Sequence, residues 1–146
     1  MKKLLLLLMT FVSTGLLAQQ TFIPDADFEQ ALVDLGVDNT LNNFVPTASI
    51  DTITVLELSL KGIASLEGIE DFTALSVLNC DRNNLSSLDL SSNTNLTELV
   101  CYNNDLTNLN LFNNKLLTSL QCSSNPLNTL EVSQSTALTT LRCNNT

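Results

Sequence analysis

The four cysteines of this 146-residue chain are evenly spaced, at positions 80, 101, 122 and 143, and this repetition limits the possible folds more than any other feature. A frame of leucine and asparagine positions recurs around each of them. The copies are Leu75, Leu78, Cys80, Asn83 and Leu85; Leu96, Leu99, Cys101, Asn104 and Leu106; Leu117, Leu120, Cys122, Asn125 and Leu127; and the partial Leu138, Leu141 and Cys143. A divergent copy stands one repeat upstream and consists of Ile53, Leu56, Leu58, Lys61 and Ile63. Self-similarity at a short fixed period indicates a repeat protein in which each copy forms one structural unit.

Each copy contains a short segment in which apolar and polar positions alternate. Because successive side chains of a β-strand point to opposite faces, the leucines and the cysteine point inward and the residues between them face water. One unit cannot bury its apolar face alone, whereas stacked units share a continuous core and pair their strands. The frame L-x-x-L-x-C-x-x-N-x-L matches the leucine-rich repeat pattern. It predicts a leucine-rich repeat solenoid of the α/β class, mostly β, with parallel strands, one per repeat.

The second half of each repeat echoes the first, so that each repeat divides into two parts of nearly equal length. Its positions are Leu85, Leu88, Leu90 and Asn93; Leu106, Leu109, Leu111 and Asn114; and Leu127, Leu130, Val132 and Ser135. A repeat this short has little room for a helix beside a strand and two bends, so we expect this side to be extended or 3₁₀-like. Asn83, Asn104 and Asn125 follow the predicted strands, where their amides can satisfy backbone groups that a tight bend leaves unpaired. We therefore predict an asparagine ladder.

The cysteines are predicted to be thiols. The repeat places them in one inward column, with neighbours about 4.8 Å apart and pointing in the same direction. A disulfide needs Cβ atoms about 3.8 Å apart and a specific dihedral angle. We therefore expect four thiols that act as small apolar core residues rather than two disulfides.

Residues 1–18 are predicted to be a signal peptide. Lys2 and Lys3 precede an uncharged apolar stretch at 4–17, and Ala18 is a small residue suited to the cleavage site. This prediction implies export and no membrane span after cleavage.

Residues 19–52 are predicted to be an N-terminal helical cap. Asp25 is suited to be the helix N-cap and Gly36 to end the helix in the left-handed region. Phe28, Leu32 and Leu35 form an apolar stripe that should cover the first repeat. The repeats would then occupy 53–146, and their C-terminal end is expected to be open.

Composition argues against most catalytic chemistry. The chain has no histidine, which removes the commonest general base and the commonest metal ligand, and its cysteines form no C-x-x-C pair. We predict no enzyme activity, no cofactor and no metal site. Without Lys2 and Lys3, four basic residues face fifteen acidic ones, so nucleic-acid binding is disfavoured as well.

Two stretches resemble secreted bacterial leucine-rich repeat proteins related to the internalins. One runs from Thr21-Phe22-Ile23-Pro24-Asp25 through 28–32, and the other, at 65–75, contains Leu66-Glu67-Gly68-Ile69 and leads into the cysteine-containing repeats. The resemblance covers about residues 21–146. It implies export, a helical cap, a curved repeat array and a role in binding or adhesion. The expected location is secreted or cell-surface, or periplasmic if the chain is complete.

The outward positions of the predicted strands are the remaining candidate surface. Its centre is predicted at Tyr102, because tyrosine and arginine most often anchor interfaces and this tyrosine lies on a middle repeat. The flanking residues are Val100, Asp81, Arg82, Asn79 and Glu98. The predicted function is a non-enzymatic, extracytoplasmic recognition module that binds protein or glycan there. The alternative is a structural spacer within a longer surface or secreted protein.

Overall fold

The computed structural model describes residues 18–144, so the signal-peptide prediction for 1–18 lies almost wholly outside the described residues. Two short strands and two short helices precede the repeats. They are β1 (Gln20–Phe22), α1 (Ala26–Asp34), β2 (Phe44–Pro46) and α2 (Thr47–Ile50). The strands β1 and β2 pair antiparallel. Nowhere in 18–144 is there a helix with the length and apolar character that crossing a bilayer requires.

The repeats form a parallel solenoid, as the sequence predicts. Seven strands follow the N-terminal elements: β3 (Val55–Glu57), β4 (Val77–Asn79), β5 (Glu98–Val100), β6 (Asn108–Asn110), β7 (Ser119–Gln121), β8 (Thr129–Glu131) and β9 (Thr140–Arg142). Five of them make one parallel sheet in the order β3-β4-β5-β7-β9. Its register matches the frame, since Leu56, Leu78 and Leu99 are aligned from strand to strand.

The core runs through the stack as columns of identical positions. The central leucines of β3, β4, β5 and β7 are buried, and the cysteine column lies beside them. Cys80, Cys101 and Cys122 are fully buried free thiols, as expected from the inward column. Cys143 continues the column and is partly buried.

The second half of each repeat is extended, as expected, and part of it pairs. The strands β6 and β8 form a separate two-stranded parallel sheet. The corresponding segment of the preceding repeat, 87–89, is not a strand. A single 3₁₀ helix within the described residues, Ile69–Asp71, stands on this side of the first repeat.

Helix α1 begins at the predicted cap. The Asp25 Oδ1 atom accepts hydrogen bonds from the backbone N–H groups of Asp27 (3.0 Å) and Phe28 (2.9 Å). Its Oδ2 atom accepts from the N–H groups of Ala64 and Ser65, both at 2.9 Å. One carboxylate therefore caps the helix and joins it to the first repeat.

The apolar stripe of α1 is shorter than predicted. Phe28 and Leu32 are fully buried, and the Phe28 ring stacks on Phe72 with centroids 6.1 Å apart, but Leu35 is 49% exposed. The helix ends at Asp34, and Gly36, with φ 71°, turns the chain as expected. Because Leu35 lies at this turn, it leaves the helical periodicity that would have brought it onto the core.

Two further contacts seat the N-terminal elements on the repeats. The Glu29 carboxylate is buried and accepts hydrogen bonds from the N–H groups of Asn42 (2.7 Å) and Asn43 (2.5 Å). Gly68, with φ 98°, passes so close to β1 that a Cβ atom there would collide with Ile23 Cδ1 and would lie 2.7 Å from the carbonyl oxygen of Phe22. Only glycine permits this approach without rearrangement.

Candidate ligand-binding face

The large parallel sheet presents one polar face, here called the strand face. It consists of the outward residues of the five strands and of the bends that follow them. The aligned rows are Val55, Val77, Glu98, Ser119 and Thr140; Glu57, Asn79, Val100, Gln121 and Arg142; Ser59, Asp81, Tyr102, Ser123 and Asn144; and Leu60, Arg82, Asn103 and Ser124. These rows follow the predicted positions, because the inward leucines fix the alternation.

The bends that end the strands are held by the asparagine ladder. The Asn104 amide nitrogen donates to the carbonyl oxygens of Cys80 (3.0 Å) and Cys101 (3.1 Å), and its Oδ1 accepts from the N–H of Leu85 (3.1 Å). Asn125 makes the corresponding contacts one repeat further on. The predicted ladder is confirmed, and it fixes the backbone under the strand face.

Asp81, Arg82 and Tyr102 form the most structured cluster on this face. The guanidinium carbon of Arg82 lies 5.2 Å from the centroid of the Tyr102 ring, within the range of a cation–π contact. One guanidinium nitrogen, Nη1, lies 3.6 Å from Asp81 Oδ2. The hydrogen-bonding interaction of the Tyr102 hydroxyl with Asp81, followed by burial, raises the pKa of Tyr102. Tyr102 therefore stays a neutral hydrogen-bond donor at physiological pH.

The structure places the six predicted site residues on neighbouring strands. Asn79 and Val100 are aligned, and Glu98 stands at the start of the same strand as Val100. The Asn79 amide donates to Glu57 Oε2 at 2.9 Å.

One of the six differs from the expectation of an outward side chain. Asp81 is only 2% exposed. The chain turns at Arg82, with φ 54°, and the guanidinium lies against the Asp81 carboxylate. Asp81 therefore supports Arg82 and Tyr102 from below, and its Oδ2 atom accepts no hydrogen bond among the described residues.

The sequence analysis left two exposed apolar residues out of the site. Leu60 is 67% exposed and Val55 is 53% exposed, and both belong to the first repeat. The available signal was the row that Leu60 shares with Arg82 and Asn103, which is otherwise polar.

Basic side chains concentrate on or beside the strand face. Residues 18–144 contain four basic residues, and only Lys115 lies elsewhere. The other three are Lys61, Arg82 and Arg142, and they are matched by Glu57, Asp81 and Glu98 on the same face. The remaining surface holds almost all the excess negative charge, so the strand face is nearly neutral within an acidic molecule.

Two adjoining cavities of about 400 and 470 Å³ lie beside the second halves of the first repeats. They share Ser87, Leu88, Asp89 and Ser91, and Phe112 lies at the far end. Their titratable side chains are carboxylates, so no nucleophile stands beside a base there. Within the described part of the chain, no three acidic or cysteine side chains are grouped as a metal ion would require.

Comparison with known proteins agrees with this architecture. No protein-family model matches the sequence. Internalin J of Listeria monocytogenes serotype 4b (strain F2365) is 38% identical over 88 residues, which are 57% of this chain and 10% of that protein.

Solved structures give the same answer. The functional domain of InlJ from Listeria monocytogenes, which includes a cysteine ladder, matches with a TM-score of 0.79 at 36% identity over 88% of this chain and 29% of that one. An internalin, inlF, from Listeria monocytogenes str. 4b F2365 shares the fold, with a TM-score of 0.69 at 23% identity over 82% of this chain and 43% of that one. The chain thus spans only a small part of internalin J and under half of either solved structure. With its cysteine column and its parallel solenoid, it is an internalin-like leucine-rich repeat protein, homologous to internalin J.

Proposed function

We propose that the chain is an extracytoplasmic recognition module that binds a protein or glycan on its strand face. The observation that carries the proposal is the cluster in which Arg82 stacks on Tyr102 above the buried Asp81 carboxylate. Homology to internalin J supports a module of the protein-binding or adhesion type.

A rigid surface suits this role. The asparagine ladder and the parallel sheet hold the strand-face backbone before any partner arrives, so association orders few groups and loses little conformational entropy. Arginine and tyrosine are the residue types that most often dominate interface energetics. Asp81 and Arg82 also restrict the rotamers of Tyr102, which reduces the cost of ordering its side chain.

The experiment is a screen of the purified protein against a glycan array and a panel of purified bacterial-envelope and host surface proteins. For any ligand found, Tyr102→Ala and Arg82→Ala should each weaken binding about tenfold or more, as for interface anchors. Phe112→Ala and Lys115→Ala are matched controls, because both residues lie away from the strand face. A ligand that binds the two strand-face variants as tightly as the wild type would place recognition elsewhere.

The extracytoplasmic location is tested separately. Expression of the full chain followed by N-terminal sequencing should give Gln19 as the first residue of the exported protein. Retention of Met1 in the cytoplasmic fraction would refute the location without affecting the binding site.

A structural spacer is the second candidate, because the related repeats of internalin J form part of a much longer protein. If no ligand appears and removal of these repeats only shortens a larger protein, the spacer interpretation prevails. The expectation that the C-terminal end of the repeats is open stays a prediction, and the full coding sequence would test it.

A further inference from the structure

We infer that the partner of the strand face is a protein, seated over its N-terminal half, with Leu60 as the side chain that the partner buries. This inference rests on the proposed function and adds the class of ligand and the anchor. It begins from an apolar side chain that serves no purpose inside the molecule.

Leu60 occupies a conformation that disfavours it. Its φ is 58°, in the left-handed region, where the Cβ of a bulky side chain crowds the following carbonyl oxygen. The aligned residues Arg82, Asn103 and Ser124 share this conformation but are polar. Leucine offers no local hydrogen bond to offset the strain, and its side chain is largely exposed rather than packed in the core. Strained residues of this kind persist at sites where a partner uses them.

Leu60 does not stand alone. Val55 is exposed on the same repeat, and Glu57 lies between them, held by the Asn79 amide at 2.9 Å. Arg82 follows on the adjacent repeat, about 4.8 Å away along the sheet. The N-terminal half of the face is therefore an aliphatic pair bordered by charges of both signs.

This chemistry fits a protein better than a sugar. Aliphatic side chains contribute to binding by leaving water for another apolar surface, which a protein supplies. A sugar would need an open aromatic plane, but Arg82 already covers one face of the Tyr102 ring. The nearly neutral charge of the strand face lets a protein surface approach where the rest of this acidic molecule would repel an acidic partner. The expected partner surface is an apolar patch or pocket with polar groups of both signs around it.

The test uses a random-peptide phage library as the probe, selected on the full chain. Synthetic copies of the enriched peptides are titrated against wild type, Leu60→Asn and Leu116→Asn. Asparagine is chosen because it tolerates the left-handed region, so the Leu60 variant should keep its fold, which circular dichroism verifies. Leu116 is the matched control, being an exposed leucine on a turn outside the strand face.

We expect Leu60→Asn to weaken peptide binding about tenfold and Leu116→Asn to change it less than about twofold. Peptides that bind Leu60→Asn as tightly as wild type would overturn the inference, and so would a library that yields no binder. If those peptides still require Tyr102 and Arg82, the proposed function stands and only the Leu60 anchor is wrong. If none of the three residues matters, both fail. A glycan that binds through Tyr102 independently of Leu60 would overturn the protein assignment alone.

Discussion

The two halves of each repeat share one spacing of leucine and asparagine, yet they are stabilised differently. In the strand half, the Asn104 amide donates two close hydrogen bonds to backbone carbonyls and also accepts one from the Leu85 N–H. In the second half, Asn114 donates to the carbonyl oxygens of Leu90 (3.1 Å) and Asn93 (2.9 Å), while its Oδ1 has no partner among the described residues. The same residue type thus fixes both chain segments around one bend but only one side of the other.

The bends differ as well. In the strand half they use a left-handed residue: Leu60, Arg82, Asn103 or Ser124. In the second half a side chain closes the bend instead, as when Asp89 Oδ1 accepts the N–H of Ser91 at 2.9 Å and Asn110 Oδ1 accepts the N–H of Phe112 at 3.0 Å. Five strands pair on the first side and two on the second. The comparison teaches that the repeat invests its backbone order in the face proposed to bind.

The largest difference should appear when the ladder asparagine is replaced by serine. Serine is too short to make all the contacts of Asn104, so Asn104→Ser should lower the free energy of unfolding by about 3 kcal/mol. Asn114→Ser should cost only about 1 kcal/mol. Ser135 already serves at the aligned position, with its Oγ atom 3.3 Å from the carbonyl oxygen of Asn114. Urea denaturation of both variants measures the two losses, and equal losses would erase the distinction between the ladders.

A second difference is expected in alkaline solution, because only the strand half has a thiol column. Burial raises the pKa of Cys80 to about 12 and that of Cys122 to about 11, whereas the ordinary value is 9.0. The folded chain then keeps protons that the unfolded chain releases, so stability is complete below pH 9 and falls as the pH rises toward 11. Cys80 alone should contribute a loss of about 2 kcal/mol near pH 11.

Urea denaturation between neutral pH and about pH 11 tests this slope. Cys80→Ala should flatten it. Leu111→Val, at the corresponding position of the second half, should lower stability by a similar amount at every pH, since no proton is involved. A slope that Cys80→Ala leaves unchanged would show that another group causes it.

A smaller effect, of opposite sign, is expected at the left-handed bends. Leu60→Asn should raise the free energy of unfolding by about 1 kcal/mol, because asparagine is strained less there and the exposed leucine side chain contributes little burial. The reverse change, Asn103→Leu, should cost a similar amount. If denaturation shows no gain for Leu60→Asn, the left-handed backbone is not a source of strain at this position.

The smallest effect belongs to the side-chain bends of the second half. The backbone hydrogen bond from Ser91 lowers the pKa of Asp89, so its stabilisation is present above the ordinary value of 3.8 and is lost as the pH falls through the lowered value. Asp89→Asn should keep the bend, as Asn110 does, and remove less than about 0.5 kcal/mol of this acid sensitivity, since the carboxylate is exposed and screened. Denaturation at about pH 3 and pH 7 would reveal it. The converse change, Asn110→Asp, should introduce the same sensitivity.

Periodicity explains what could be predicted. The strand positions, the thiol column and the Asn83 ladder depend on spacings within one or two repeats, and the cap at Asp25 depends on its own first turn. The strand-face position of Tyr102 and its neighbours followed from the same alternation.

The remaining features depend on contacts between distant segments. The second oxygen of Asp25 meets N–H groups of Ala64 and Ser65, which no local pattern indicates. The pairing of β6 with β8, but not with 87–89, depends on how closely neighbouring repeats approach, although all three segments share one leucine spacing. The burial of Asp81 follows from the left-handed turn at Arg82, where the residue type gives no warning. The site could therefore be located on a face, but its internal contacts could not be derived.

The repeat-to-repeat hydrogen bonding has a mechanical consequence. Each strand of the large sheet bonds only to the strands of the adjacent repeats, so tension applied on the C-terminal side would detach repeats one after another. Each detachment would lengthen the chain by about 70 Å, the extended length of one repeat. The N-terminal elements would yield last, because the Asp25 carboxylate couples α1 to the first repeat. A module built this way extends in steps under shear and keeps its N-terminal half, with Leu60 and Arg82, folded for longest.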